Sequence, residues 1–404
     1  MRAGLSRFIC MLIGFFLACA STPARAGDWY VVPRLDLGAQ YDSNINFSLS
    51  QIRSDFIFNV SPSVAFNYES EITKLTGSLD LKGQAYVKNP NLDTINQYYR
   101  ISGSHKVAPR LGVTFTGGYT LDSTLDEELL ASGFIMDRTR RQAINAAPGL
   151  EFYLTERAIL QANYGFNQVT YQEPEFTDYT QHRINGQLNY LLKNAKTTLS
   201  GVVLLRFIDY PSIENSYRNL GTYAGLEHKF TEEWSVSLFA GLNYNWFSSQ
   251  TALLDVGFLP DLLQVRQATE ETFTISPFFN IGGTRRWEKA SLSFGYSLDQ
   301  SASGGGTINE YHRAYAGYSY NFTEKLNGGL RGSFYYSTAS SPGSNYDNLV
   351  FYVTPELRYR VTEKLSVNSS YRFGWRKDFT NSRTADRHVV WLYLSYAHPL
   401  HYKK

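Results

Sequence analysis

Polar and apolar residues alternate with a period of two along most of the chain. The segment Trp234–Trp246 has apolar or aromatic side chains at every second position and mainly Ser, Asn and Gly between them. Successive side chains of a β-strand point to opposite faces of the sheet, whereas a helix would mix the two sets. Leu111–Leu121 and Arg387–Leu400 have the same pattern. The alternation therefore predicts long strands with one apolar and one polar face.

Short polar turns recur at a nearly constant spacing, with longer and more variable connections between them. Four turns have the form Thr-Glu-x, and this recurrence indicates that all the short turns lie on one side of the sheet. Eight turns and nine longer connections predict about eighteen antiparallel strands, with sixteen as the alternative. The turns are Glu71–Thr73, Ala108–Arg110, Thr155–Arg157, Lys193–Ala195, Thr231–Glu233, Arg286–Glu288, Thr323–Lys325 and Thr362–Lys364. The longer connections include Asp42–Ser54, Asp122–Arg138, Ser248–Thr269 and Ser340–Asp347.

Strand length and aromatic placement distinguish a membrane barrel from a soluble β-sandwich. Trp234 and Trp246 lie on the same face and are separated by about 40 Å along a strand, or roughly 30 Å across a bilayer at the usual tilt. That spacing is close to the apolar band between the two aromatic girdles of outer-membrane barrels. We therefore predict an all-β, transmembrane, antiparallel up-and-down β-barrel in the outer membrane of a Gram-negative bacterium.

The first 26 residues have the composition of a secretory signal peptide. A basic start with Arg2 and Arg7 precedes an apolar stretch, and Ala24–Ala26 is a small-x-small cleavage site. Removing this segment removes three Arg and no acid, so the formal charge changes from +2 to −1. It also removes both cysteines, Cys10 and Cys19, so no disulfide is expected. The predicted domains are a signal peptide, 1–26, and a barrel, 27–404.

Four prolines interrupt predicted strands at similar distances from the following turn. They occur in Val60-Ser61-Pro62, Ala146-Ala147-Pro148, Ile275-Ser276-Pro277 and Val353-Thr354-Pro355. Proline has no N–H to donate to a sheet ladder, so it is usually confined to edges and bulges. The repeated position predicts β-bulges that bend four strands at one depth.

No residue pattern indicates catalysis, a cofactor or a metal. The mature segment has no nucleophile elbow, phosphate loop or zinc-ligand spacing. Asp42-Ser43-Asn44-Ile45-Asn46 begins like a calcium loop, but Phe47 replaces the turn glycine and Arg53 replaces the closing glutamate. We therefore expect a protein that is not an enzyme and has no cofactor, metal site or nucleic-acid partner.

Applying the alternation strand by strand gives more bases than acids on the inward face. We predict that the substrate path in the lumen includes Arg183, Arg206, Arg313, Arg331, Arg358, Arg360, Arg372 and Arg376. The last four are expected to form one patch in the periplasmic half, opposed by Glu356 alone. A basic lining would concentrate anions in the pore. The alternative is that these residues are paired charges that brace the wall.

The long connection Ser248–Thr269 contains eight Leu, Val or Phe side chains. An exposed loop of this composition is expected to leave water, either by folding into the mouth of the barrel or by packing against neighbouring loops or a partner.

Two sequence features resemble a known family. The opening segment Leu37–Asn46 contains a Y-D-x-N element, and the proline strands have the form x-S/T-P-x-L/F. In both respects the chain resembles the EpsL-like outer-membrane porins, which are encoded with exopolysaccharide and exosortase systems. The resemblance implies passage of an exopolysaccharide across the outer membrane.

Three functions follow from these observations. The first is passive export of an exopolysaccharide, which the basic lining predicts to be anionic. Its expected partners are outer-membrane lipids, the polymer or another solute in the lumen, and periplasmic export machinery. The second is a general or substrate-specific porin for small solutes. The third is a structural or adhesive barrel whose loops bind a partner.

Overall fold

The computed structural model describes residues 27–125, 138–256, 263–339 and 346–403. For residues 250–256, 263–268, 402 and 403 it describes the backbone only. The predicted signal peptide lies outside the described residues, as do most of the connections Asp122–Arg138 and Ser340–Asp347. Among the described residues, no helix could span a bilayer.

The described chain consists of β-strands joined by turns, with one 3-10 helix at Pro90–Leu92 between the third and fourth strands. The strands are β1 (Asp28–Asp42), β2 (Asp55–Glu69), β3 (Thr73–Tyr86), β4 (Thr94–Ala108), β5 (Leu111–Ser123), β6 (Arg140–Tyr153), β7 (Ala158–Tyr171), β8 (Tyr179–Leu191), β9 (Thr197–Tyr210), β10 (Asn215–Lys229), β11 (Trp234–Val256), β12 (Leu263–Arg286), β13 (Ala290–Ala302), β14 (Ile308–Asn321), β15 (Leu326–Ala339), β16 (Asp347–Arg360), β17 (Leu365–Asp378), β18 (Arg383–Ala397) and β19 (Leu400–Lys403).

Consecutive strands pair antiparallel, and the sheet closes because β1 pairs with β2 on one side and with β18 and β19 on the other. The short β19 continues β18 beyond His398 and Pro399, since both pair with the same strand in one direction. The barrel therefore has eighteen strands around its circumference, as the turn count predicts, because β18 and β19 count as one. We call its two rims the turn end and the loop end.

The repeated threonine in the Thr-Glu-x turns organises the turn end. The side-chain oxygen of Thr155 accepts hydrogen bonds from the backbone N–H groups of Arg157 and Ala158, at 3.2 and 3.0 Å. Thr231, Thr323 and Thr362 repeat the arrangement with the second and third residues that follow them. A hydroxyl that accepts from its own turn favours a tight connection.

The exterior of the barrel is apolar. Exposed side chains on the outer face include Leu35, Leu37, Phe58, Val60, Leu79, Leu150, Leu160, Leu188, Val203, Leu242, Leu330, Leu357 and Leu392. Trp246, on the same face as Leu242, is 46% exposed. A soluble monomer rarely shows so extensive an apolar surface, whereas a membrane barrel requires it.

The predicted bulges at the four prolines are absent. Each proline strand pairs without a register shift with the strand before it. Towards the following strand the ladder lapses beside Pro62, Pro148 and Pro355 and then resumes in the same register. The missing N–H removes a ladder bond without requiring an extra residue, so the prediction of bulges was wrong. At Pro277 the ladder towards β13 ends and does not resume.

Inserting a charge on the lipid-facing side of β11 should impair assembly. Leu238 lies on the face of Leu242 and Trp246, near the midpoint between Trp234 and Trp246. Leu238→Arg should cost roughly 2 to 4 kcal/mol, as it does at the midplane of other membrane barrels. Its neighbour Ser237 faces the lumen, so Ser237→Arg should cost little. Folding into vesicles along a urea series measures both; equal costs would show that the two faces are assigned wrongly.

Candidate functional site

The predicted arginines of β14 to β17 lie at successive levels along the lumen. Register places Arg313 and Arg376 level with Val350 of β16. Arg331 is level with Thr354, whose hydroxyl accepts from Arg372 Nε at 3.4 Å. The chain rises about 3.3 Å per residue, so these two levels are separated by about 13 Å. They form the two levels nearer the loop end.

Arg358 and Arg360 continue this series towards the turn end, opposite Asn368 and Ser366. The expected single patch in the periplasmic half is therefore wrong, because Arg372 and Arg376 lie much farther from the connecting turn than Arg358 and Arg360 do. The observed arrangement is a ladder of bases along the pore. We call this set, Arg313, Arg331, Arg358, Arg360, Arg372 and Arg376, the arginine ladder.

The members of the arginine ladder differ in their contacts. Arg331 forms an ion pair with Glu356. Arg372 stacks over the rings of Trp391 and Tyr352, at 4.9 and 5.6 Å from the ring centres. Arg313 lies over two tyrosine rings, Tyr315 and Tyr335. Arg358 and Arg360 are exposed and are in no ion pair within the part of the chain that the structure describes.

Two cavities run along the arginine ladder and share part of their lining. The cavity nearer the loop end has a volume of about 600 Å³ and is lined by Lys82, Arg313 and Arg387, among other side chains. The cavity nearer the turn end has a volume of about 390 Å³ and includes Arg358 and Asn368. Their common residues are Arg331, Thr354, Arg372 and Trp391. A continuous polar and aromatic path therefore follows this wall.

Four predicted site residues do not line these cavities: Arg360, at the turn end of the ladder, and Arg183, Arg206 and Arg376. Arg376 is buried and donates to the side-chain oxygen of Asn348 at 3.0 Å and to the carbonyl of Phe47 at 3.3 Å. Arg206 is also buried, on the opposite wall, and forms an ion pair with Asp299 at 3.2 Å. Arg183 is its cross-strand neighbour. The contacts of Arg376 and Arg206 correspond to bracing of the wall, which was the alternative interpretation.

The connection between β1 and β2 folds into the lumen rather than standing outside it. Phe47 is buried against Tyr352, and Ile45 is buried against Ile57 and Tyr86. Asp42–Ser54 was predicted as one of the longer connections, and its inward course was not predicted. Alternating apolar residues at 45, 47 and 49 were the available signal.

The Y-D-x-N element holds this inward loop. Asp42 accepts from Nη2 of Arg387 at 2.6 Å and from the N–H of Asn44 at 3.0 Å. The side chain of Asn44 donates to the carbonyl of Ser48 and accepts from its N–H, both at 3.0 Å. Phe47, at the position of a calcium-loop glycine, has φ 47°. The residues that resemble a calcium loop thus make a turn anchored by an arginine.

The tip of the β13–β14 hairpin, residues Asp299–Ile308, also enters the lumen. Ala302 and Ile308 pack against Val169, Ile208 and Tyr210 of the far wall. This contact was not predicted, because Ser303–Thr307 has the sequence of an ordinary glycine-rich turn. Contacts between strands that are distant in sequence leave no local pattern.

Folding of Ser248–Thr269 into the mouth, one of the two alternatives that the sequence left open, is not observed in the described backbone. Residues Ser248–Val256 and Leu263–Glu271 continue the β11–β12 ladder as a paired hairpin. The intervening residues 257–262 lie outside the described part of the chain. Inward segments of the described chain come instead from the β1–β2 and β13–β14 connections, and Leu125 of the β5–β6 connection packs against the first of them.

Comparisons with known proteins return structures but no sequence family. No family model matches the chain, and no curated protein matches its sequence. The structure of OccK1 (OpdK) from Pseudomonas aeruginosa aligns with 93% of this chain and 99% of its own, at 14% identity and a TM-score of 0.45. OccK9 (OpdG) from the same organism aligns with 92% of this chain and 98% of its own, at 12% identity and a TM-score of 0.47. The ferric-catecholate import receptor Fiu from E. coli K12 aligns with 93% and 82%, at 8% identity and a TM-score of 0.45.

Proposed function

We propose that this chain is an outer-membrane channel that conducts anionic solutes. The proposal is carried by the four members of the arginine ladder that line the two connected cavities, Arg313, Arg331, Arg358 and Arg372. Among the described residues, the carboxylates that line these two cavities are Asp42 and Glu356, and both are in ion pairs with arginines. Lys82, Arg313 and Arg358 therefore add net positive charge to the path. Low-dielectric walls focus the field of such a lining and raise the local concentration of anions.

The transported solute that we propose is an acidic exopolysaccharide moving outwards, as the resemblance to the EpsL-like porins implies. A guanidinium presents a planar fork that matches a carboxylate or sulfate. The rings of Tyr335, Tyr352 and Trp391 offer apolar faces beside these forks. A polymer supplied by periplasmic machinery would exchange its hydrogen bonds and ion pairs with one level of the ladder for those with the next.

A second candidate is uptake or release of a small anionic solute. The cavity nearer the loop end has a volume of about 600 Å³. That is within the range of small-molecule sites, about 300 to 1,000 Å³. The inward β1–β2 loop confines this cavity, which favours a small ligand in the observed conformation.

Neutralising three ladder residues should reduce the anion preference of the pore. The variant Arg313→Gln, Arg358→Gln, Arg372→Gln keeps hydrogen-bonding groups and removes three charges. Reversal potentials in planar bilayers under a salt gradient should show an anion preference in the wild type that falls several-fold in the variant. Screening over about 10 Å at 0.1 M salt should weaken the preference as salt rises.

A matched control changes three exposed bases at the turn end, Arg157, Lys325 and Lys364, to Gln. It should retain the selectivity of the wild type. A cation-selective wild type, or equal selectivity in the two triple variants, contradicts the proposal. Current block by oligogalacturonates of increasing length distinguishes the polymer channel from the small-solute channel. A polymer channel should admit the longer chains, whereas a small-solute channel should not.

A further inference from the structure

The wall between β12 and β13 is split in its loop-end half. The two strands pair from Arg286↔Ser291 to Phe279↔Leu298 and no farther. On its other side β12 stays paired with β11 to Leu263, and β13 stays paired with β14 to Ala302. Both strands thus continue past the last shared pair, but apart. We call this stretch the split seam.

Pro277 lies two residues beyond the last shared pair. It has no N–H, so one ladder position towards β13 cannot be filled. The other three proline strands face the same loss and their ladders resume beyond it. The split seam is therefore a displacement of β13 rather than an unavoidable result of the proline.

The displaced hairpin tip is held by polar contacts across the lumen. Arg206 of β9 pairs with Asp299 and also donates to the carbonyl of Gln300. The hydroxyl of Tyr217 on β10 donates to Gln300 Oε1, and that of Tyr210 donates to the carbonyl of Thr307 at 2.8 Å. The N–H of Thr177 donates to Gly304 at 2.7 Å. The tip therefore closes the space between β13 and the β7–β10 wall.

A second position is available to the same residues. Extending the register of Phe279↔Leu298 would pair Pro277 with Gln300 and Ile275 with Ala302. That position would re-form the wall and satisfy strand edges that are costly to leave open in a bilayer. The inward position instead satisfies polar groups of the tip through β9 and β10. Two alternative sets of partners for one element are the basis of a conformational switch.

We propose that the hairpin tip, Asp299–Ile308, is a gate of the channel: it obstructs the lumen in the position observed here and opens it by re-forming the ladder with β12. The inference rests on the proposed channel function. The glycine run 304–306, in which Gly306 has φ 72°, allows the tip to change its curvature.

Engineered disulfides can lock each position, since the mature segment contains no cysteine. A β-carbon at position 306 would lie 3.5 Å from Cβ of Thr177 and 2.7 Å from Cδ1 of Ile213, the far end of a flexible side chain that must move aside. The separation from Thr177 suits a disulfide, so Thr177→Cys with Gly306→Cys locks the inward position. A side chain at φ 72° is also strained, so the oxidised form of this pair is compared with its own reduced form. Ile275→Cys with Ala302→Cys locks the wall position. Phe279→Cys with Leu298→Cys, the last shared pair, is a control that should cross-link in both positions.

Single-channel conductance is then measured for each pair, oxidised and reduced. Oxidation should lower the conductance of the inward pair several-fold, raise that of the wall pair to a sustained open level, and leave the control unchanged. Equal conductance of the two oxidised pairs overturns the gate while the channel function stands. Failure of the wall pair to cross-link overturns the second position. An absence of current from the oxidised wall pair and from every reduced protein overturns the channel function itself.

Discussion

Replacing Phe47 by alanine should release the β1–β2 loop from the lumen and raise the single-channel conductance. Phe47 is 1% exposed and packs among Tyr311, Tyr335 and Tyr352. Removing a buried phenylalanine ring typically costs about 3 to 5 kcal/mol. The ring also holds a left-handed backbone conformation, φ 47°, which is unfavourable for a bulky residue. Alanine keeps this strain and loses the packing that opposes it.

Ile52 provides a matched control within the same loop, because its side chain is 65% exposed. Ile52→Ala should leave both the conductance and the loop position unchanged. Limited trypsin digestion of the protein in vesicles gives a second readout. Arg53 follows the inward turn, and its carbonyl accepts from the N–H of Ile45 at 2.9 Å. Cleavage after Arg53 should accelerate in Phe47→Ala alone. Equal digestion and conductance in both variants would show that the ring does not hold the loop.

The architecture of the barrel could be predicted from sequence because each of its determinants is local. Alternation fixes the two faces of a strand, and a hydroxyl such as that of Thr231 fixes a turn within three residues. The strand count follows by adding such units. The proline strands show where local reasoning fails, since a lapse in the ladder and a bulge are both consistent with the same sequence.

The lumen was less predictable because its contacts join strands that are distant in sequence. The alternation of side chains predicted Arg206 and Arg376 on the inward face, but it could not show that inward segments would bury them. The position of Arg372 farther from the turn than Arg358 could have been predicted, because antiparallel pairing makes the distance from the turn follow directly from the residue number. The partners of the hairpin tip lie on β9 and β10, and no periodic pattern specifies them.

The aromatic and charged contacts around Phe47 link the two inward segments to the same wall. Tyr311 of β14 stacks with Tyr335 at 6.1 Å between ring centres, and Phe47 lies 5.9 Å from the ring of Tyr352. Tyr311 lies on the strand that follows the hairpin tip. A movement of the proposed gate should therefore alter the packing of the β1–β2 loop, and the loop variants should change the open probability set by the hairpin.

The ion pair between Asp42 and Arg387 should be the strongest polar contact of the inward loop. Asp42 is 1% exposed, and its two carboxylate oxygens accept from Nε and Nη2 of Arg387. Breaking a buried pair by removing one partner typically costs about 3 to 5 kcal/mol, because the remaining charge loses that partner while it stays largely out of water. Asp42→Asn removes the ion pair with Arg387 and keeps the turn, since the amide oxygen can still accept from the N–H of Asn44.

A double-mutant cycle with Arg387→Gln measures the coupling between the two side chains. We expect each single variant to lower the urea midpoint for unfolding from vesicles, and the double variant to recover much of the loss because both charges of the pair are then removed. Arg387 also lies over the ring of Phe47 at 5.9 Å, so Arg387→Gln should destabilise more than Asp42→Asn. Additive losses would mean that the two side chains act independently, and the Y-D-x-N element would then hold the loop through the turn of Asn44 alone.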